Sequence, residues 1–324
     1  MVDNGCSMGQ SRMSTIVTVT LNPAIDRVIE VDSFTIGEHQ VGRERLRQAA
    51  GKGVNISRTL ARMGLSSTAT GFLGAESLPT FEGVFRDRRI TNAFVTLPGQ
   101  TRENITITDL CSRRETHIRS AGLAVDSWGL AKLTRTLEQL ATREAVVIFS
   151  GSLPPGVLPS HLAALARCCL SRGARVAVDT SGPALSAVAE LPLWVVKPNA
   201  KELSALVGCE HKKEHEQLAD TRELATRFEH VLLTLGTRGA YLVTGGVALH
   251  GVLELGAEEI ASTVGCGDVF LAAYIAGLRQ DFSPREAFAG ALAFGAACAT
   301  VIDPAGASPD VATSLLSRVR IREV

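Results

Sequence analysis

The run STVGCGDVFLAAYIAGL, residues 262–278, sets Gly265, Cys266 and Gly267 before an apolar helix, with Asp268 at its start. The free N–H groups of a helix N-terminus, backed by the helix dipole, form an anion hole. A carboxylate placed there can accept a proton from a hydroxyl while the amides hold charge developing on a phosphoryl group. Asp also caps helices well, so the pattern alone leaves both roles open. AAGKGVNISR, residues 49–58, carries Gly51, Lys52 and Gly53 just ahead of a second helix. Its glycines let backbone approach a ligand, although a plain strand-to-helix turn has the same look. It is not a Walker A loop, because Gly53 follows Lys52, and Ile56 replaces the third glycine of a dinucleotide fingerprint. In VVKPNAKEL, residues 195–203, Asn199 and Glu202 lie one helical turn apart. The carboxylate could hold Mg²⁺ through water, or the pair forms a capping box. In LLTLGTRGAYLV, residues 232–243, Thr234, Gly236 and Gly239 make an open turn, either a nucleotide-contact loop or an ordinary connection.

These segments need elements to hold them in one place. TIVTVTLN, residues 15–22, reads as a buried central strand, and RVIEVDSF, 27–34, alternates like a half-exposed one. VNISRTLARMG after Gly53 reads as a helix ended by Gly64. Residues 101–122 read as a polar hairpin turning at CSRR. A βα rhythm follows: a strand in 145–156, a helix near 160–172, strands in ARVAVDTSG and LWVVKPN, a helix from about Ala200, then strands in HVLLTLGTRG and AYLVTGG. Alternation of this kind predicts a parallel sheet with right-handed crossovers. Ligands in such sheets bind outside the carboxyl ends of the strands, which is where the polar, Gly-rich turns fall.

Composition narrows the class. The chain has 324 residues, 45% of them hydrophobic, with 33 basic and 33 acidic side chains. A balanced charge argues against a nucleic-acid partner or a polybasic membrane binder. Seven cysteines without a C-x-x-C pair imply neither a disulfide framework nor a zinc site, and point to a reducing compartment, the cytoplasm. Residues 1–14 are polar and are expected to be a disordered tail rather than a signal peptide. No apolar run reaches membrane-spanning length.

In order and spacing, TLNPAID, AAGKGVNISRTLARMG, TREN, SGSLPPGV, KPNAKELSALV, TLGTRGA and STVGCGDV together resemble the ribokinase-like carbohydrate kinases of the phosphofructokinase-B family, in the phospho-ketohexose branch. The resemblance spans residues 15 to about 310 and implies an α/β, Rossmann-like ribokinase fold: a mostly parallel sheet flanked by helices, one kinase domain over 15–324, and a small β-sheet lid near 27–47 and 101–120. It implies transfer of the γ-phosphate of ATP, with Mg²⁺, to a sugar phosphate. TLNPAID and AAGKG look most like the kinases that convert fructose 1-phosphate to fructose 1,6-bisphosphate; fructose 6-phosphate and tagatose 6-phosphate are the alternative acceptors. A non-catalytic sugar-phosphate or nucleotide binder on the same fold is the alternative of another class.

Residue by residue, the resemblance makes Asp268 the base and the amides of Gly265, Cys266 and Gly267 the anion hole. Asp26, Gly51, Lys52, Asn55, Arg102, Asn104 and Ser150 fall on the sugar-phosphate side, with Arg102 on the phosphate. Lys197, Asn199, Glu202, Thr234, Gly236 and Gly239 fall on the ATP side, with Glu202 on the metal. Arg43, Arg45 and Arg47 are further candidates for the phosphate, although their spacing of two also fits one solvated strand face. Cys266 stands where the family usually carries Ala, and Ile302 where an Asn often lies near the adenine. Lids of this family often pair between two subunits, which implies a homodimer.

Overall fold

The computed structural model describes residues 15–209 and 213–324; the expected N-terminal tail, 1–14, lies outside the described residues. The chain opens with β1 (Ile16–Thr20), β2 (Ala24–Val31) and β3 (Arg43–Ala50), then α1 (Lys52–Arg62), β4 (Ser67–Gly74), α2 (Leu78–Phe85), β5 (Ile90–Asn92) and β6 (Val95–Leu97). The hairpin β7 (Arg102–Asp109) and β8 (Arg114–Arg119) follows. From there helices and strands alternate as α3 (Ser127–Leu140), β9 (Val146–Ser150), α4 (Pro159–Ser171), β10 (Arg175–Asp179), α5 (Pro183–Val188), β11 (Val195–Val196), α6 (Ala200–Val207), α7 (Glu214–Leu224) and β12 (His230–Thr234). The last elements are β13 (Ala240–Thr244), β14 (Val247–Val252), α8 (Cys266–Arg279), α9 (Pro284–Ala299), α10 (Pro309–Leu315) and β15 (Arg320–Glu323).

The large sheet runs β15-β14-β13-β12-β11-β10-β9-β1-β4-β5, with β6 also on β4. Its strands from β12 to β6 are parallel, and β13, β14 and β15 add an antiparallel edge. The central strands are buried on both faces: Val17, Val147, Ile148 and Val178 are wholly covered. One face packs on α3, α4 and α5 and the other on α1, α8 and α9. α8 is apolar on nearly every side because it lies between α1 and α9, and Leu271, Tyr274 and Ile275 are fully buried there.

The small sheet is β3-β2-β7-β8. β2 pairs in parallel with β7, while β3 and β8 flank them antiparallel, so the sheet is mixed. Arg43 and Arg45 contact Glu30, and Arg47 contacts Glu103. The three arginines therefore lie in the ion pairs of an exposed strand face, the second of their two readings. The small sheet is tied to the large domain by Asp303, in the turn after α9. Arg58 of α1 donates two hydrogen bonds to its carboxylate at 3.0 and 2.7 Å, and Gln48 of β3 donates one at 3.2 Å.

Several elements differ from the sequence expectation. α1 starts two residues early, at Lys52, because Gly51 at φ 125° provides the break that only glycine takes readily. The LWVVKPN strand shrinks to Val195–Val196 because Pro198 removes a ladder donor. β4 has no strand pattern in the sequence because Phe72 and Leu73 of STATGFLG are set between glycines and small residues. It is nonetheless wholly buried, with Gly71 so close to β1 that a Cβ would lie 1.9 Å from Thr20 O.

Candidate active site

Parallel register brings Thr20, Ser150 and Asp179 to the same edge of the large sheet, at the carboxyl ends of β1, β9 and β10. The first turn of α1 and the N-terminus of α8 face this edge. Asp179 is central to it: fully buried, its Oδ1 accepts from Lys52 Nζ at 3.1 Å and pairs with Lys197 Nζ at 3.3 Å. Burial opposes its charge, but Lys197 and Lys52 outweigh that and hold its pKa below the usual carboxylate value. Burial likewise works against the charge of Lys52, and Asp179, Asp268 and Glu202 outweigh it, so its pKa lies above that of an ordinary lysine.

α8 begins at a left-handed Gly265, φ 75°, where Pro304 packs so closely that a Cβ would meet it at 2.4 Å. The amides of Asp268 and Val269 turn back on Gly265 O at 2.9 and 3.0 Å. Those of Gly265, Cys266 and Gly267 donate to no backbone carbonyl, so the helix presents free N–H groups. Lys197 Nζ lies alongside, 3.2 Å from where a Gly267 Cβ would sit. Asp268 is buried and accepts from Asn55 Nδ2 at 3.0 Å. Burial pushes its pKa up to about 6, against the pull of Lys52, Asn55 and Lys197.

On the small sheet, Asn104 of β7 donates to Asp26 of β2 at 2.8 Å. Burial raises the Asp26 pKa, countered by Asn104, Arg102 and Arg119. Arg102 donates through Nε to Pro23 O at 3.3 Å and through its two Nη groups to Asn22 O and Ser120 O at 3.2 and 3.5 Å. Burial and the neighbouring Arg119 lower its pKa. Two guanidinium groups thus sit beside one carboxylate.

Asn199 and Glu202 form the capping box of α6, Asn199 N to Glu202 Oε2 at 2.9 Å and Glu202 N to Asn199 Oδ1 at 3.0 Å. Glu202 is at the same time near enough to act on the Lys52 charge. Thr234 bridges to Asn199 and donates its N–H to Pro198 O at 3.0 Å, which sets TLGTRG beside KPN. Gly236 and Gly239 take φ 65° and 84° in a short 3₁₀ turn, and a Cβ on Gly239 would lie 2.1 Å from Gly251 O. Ile302 is exposed.

Fit to a bound group can be judged from orphaned polar atoms. Thr20 Oγ1, Asn55 Oδ1, Asn104 Oδ1, Ser150 Oγ and Asp179 Oδ2 are all buried without a hydrogen-bond partner. Such atoms cost about 1–3 kcal/mol each unless something fills their need. Their grouping along the strand ends and lid suits a polar ligand. Sequence reading missed Asp179, Arg119 and Asp303. Asp179 carried a signal, an acidic residue at the end of a predicted strand, in VDTSG. The other two had none, since only tertiary pairing brings them to the site.

A doubly flanked, mostly parallel sheet with an anion hole and a buried carboxylate at its carboxyl edge, beneath a small second sheet, defines a phosphoryl-transfer enzyme of the sugar-kinase type. The chain belongs to the pfkB family of carbohydrate kinases, which it matches over residues 19–310, and it is an ATP-dependent sugar kinase. It is 37% identical over 291 residues to a 1-phosphofructokinase of Rhodobacter capsulatus, covering 87% of this chain and 90% of that one. The phosphofructokinase-2 of Escherichia coli, solved with potassium, superposes with a TM-score of 0.88 at 27% identity, over 94% and 98% of the two chains. A ribokinase of Arabidopsis thaliana shares the fold, with a TM-score of 0.73 at 18% identity, over 94% and 98%. No helix among the described residues is long and apolar enough to cross a membrane.

Proposed function

We propose that this kinase phosphorylates fructose 1-phosphate on its 6-hydroxyl, giving fructose 1,6-bisphosphate and ADP in the cytoplasm. The observation that carries the reading is the meeting of Asp268, Asn55, Lys52, Lys197 and three free helix amides at one point. Asp268 takes the proton of the acceptor hydroxyl, whose oxygen attacks the γ-phosphorus as the bond to the β-phosphate oxygen breaks. Asn55 fixes the carboxylate for that task. The amides of Gly265, Cys266 and Gly267 hold the charge spread over the transferring group, and Lys52 and Lys197 neutralise the phosphates. Asp179 keeps both lysines ionised and aimed. Asp26 and Asn104 hold sugar hydroxyls, with Gly51 and Ser150 at the floor, and Arg102 with Arg119 receives the phosphate that the sugar already bears.

Lys197, Asn199, Thr234, Gly236 and Gly239 line the ATP, and Glu202, whose capping bond uses one carboxylate oxygen, would hold Mg²⁺. Mg²⁺ bound there would neutralise charge that builds on the phosphates during transfer. The small sheet closes over the sugar, and the exposed Ile36 and Val41 of its β2–β3 loop, with Ile118 of β8, suit pairing with a second copy. The test is kcat/KM for fructose 1-phosphate, fructose 6-phosphate, tagatose 6-phosphate and free fructose. Preference for fructose 1-phosphate is expected, in keeping with the named Rhodobacter relative. Preference for free fructose would overturn the phosphate site, and preference for another phosphate would overturn the acceptor assignment alone.

A further inference from the structure

Two thiols lie behind the anion hole, both against the loop that leads into α8. Cys266 is the first residue of α8 and half-buried; Cys298 lies in the last turn of α9 and is fully buried. Cys266 packs against the buried apolar cluster that contains Cys298. Both are also tied to the loop leading into α8, Cys266 to Ser262 O at 3.9 Å and Cys298 to Val264 O at 3.8 Å. Phosphoryl transfer as described uses neither sulfur, since the hole takes only the Cys266 amide.

The two groups are unequal in a useful way. The neighbouring Cys298 thiol lowers the Cys266 pKa, against burial and Asp268, while Cys266 and burial push that of Cys298 up. A helix N-terminus acts on Cys266 in the same sense. By contrast, burial pushes the Cys169 thiol, in the middle of a packed face, up to about 12. A partly exposed thiol of lowered pKa beside a second, resolving thiol is the arrangement that oxidises reversibly.

We propose that Cys266 and Cys298 form a reversible disulfide when the enzyme meets a hydroperoxide, and that this bond closes the anion hole. The Cys266 thiolate attacks the peroxide, the O–O bond breaks, and an alcohol or water leaves as Cys266 becomes the sulfenic acid. The Cys298 thiol, losing its proton, then attacks that sulfur and expels hydroxide, which leaves as water. Two thiols and one hydroperoxide thus give one disulfide, one alcohol or water, and one water. The new bond ties the first residue of α8 to the end of α9, and the Cys266 and Gly267 amides and Asp268 move with it. Pro304 against Gly265 blocks the simplest compensating shift of the loop. The effect on catalysis rests on the kinase reading above; the bond itself does not.

The experiment treats the whole chain with hydrogen peroxide, blocks free thiols by alkylation and digests with trypsin. Cys266 then lies in the peptide 239–279 and Cys298 in 286–318, so their disulfide links two otherwise separate fragments. The linked pair is expected to rise in step with loss of turnover, and dithiothreitol should reverse both. Losing an oxyanion-hole donor costs about 10²–10³-fold, so at least about a tenfold loss is expected on full oxidation. Cys298→Ser should start with near-normal activity, give no linked pair, and lose turnover in a way that dithiothreitol does not restore as Cys266 goes on to the sulfinic acid. Inactivated wild type without the linked pair, a linked pair with unchanged turnover, or full recovery of Cys298→Ser each overturns the proposal. The linked pair is read by mass, so a chain inert toward every ketohexose phosphate overturns the kinase reading while the thiol chemistry is still decided.

Discussion

Asp268→Asn removes the proposed base while keeping the side chain's size and a partner for Asn55. A pKa moved from 3.8 to about 6 disfavours the carboxylate by about 3 kcal/mol relative to an ordinary aspartate. It also means that about nine-tenths or more of Asp268 is ionised above pH 7, so the wild type works with its base ready. Losing the base is expected to lower kcat by about 10²–10⁴-fold, with ATP affinity changed little. In the wild type, kcat/KM should fall about tenfold for each pH unit below about 6, because the base must be deprotonated to act. Stability runs the other way. With its folded pKa raised, Asp268 costs the native state nothing below the unfolded value of 3.8 and its full penalty above about 6. The variant should therefore have a Tm at neutral pH no lower than the wild type. ADP is best measured directly by chromatography, because coupling enzymes carry their own pH profiles. A variant keeping more than about a third of wild-type kcat, or a flat wild-type profile from about pH 7 down to about 5, would refute the base assignment.

Three further outcomes follow from the same geometry. Asp179→Ala leaves Lys197, only 5% exposed, without its partner, and breaking such a buried pair costs about 3–5 kcal/mol; an unchanged melting temperature would show that the pair is not what holds the strand ends. Arg102→Lys loses the guanidinium fork and should raise KM for the sugar phosphate about tenfold or more, leaving KM for ATP nearly constant, and equal effects on both would move Arg102 out of the phosphate site. Glu202→Gln should raise the Mg²⁺ concentration needed for half-maximal rate with little effect on sugar affinity, whereas an unaltered Mg²⁺ titration together with a lower melting temperature would leave it as a helix cap alone.

The alternation of strands and helices, and the polar turns at the strand ends, were legible because period and punctuation are local properties. β1, α1, β9, β10, α6 and α8 follow from β-branched runs, glycine breaks and caps within a few residues of one another. Asp268, Lys52 and the Gly265–Gly267 turn stood out for the same reason: a helix N-terminus after glycines is written in consecutive residues. What the sequence left open was decided by contacts between distant segments. Gly71 of the buried strand β4 stands where Thr20 of β1 leaves no room for a side chain, and that proximity has no trace in the strand's own pattern. The three arginines of β3 suited a phosphate until the fold set Glu30 and Glu103 across from them. Asn199 and Glu202 admitted two roles, and the structure supplies the cap while leaving the carboxylate within reach of Lys52. Asp179 gains its importance only when parallel pairing carries it between lysines 127 residues earlier and 18 later. Burial, which sets the Asp268 pKa, comes from the packing of α8 between α1 and α9, so the sequence could name that carboxylate but not its strength as a base.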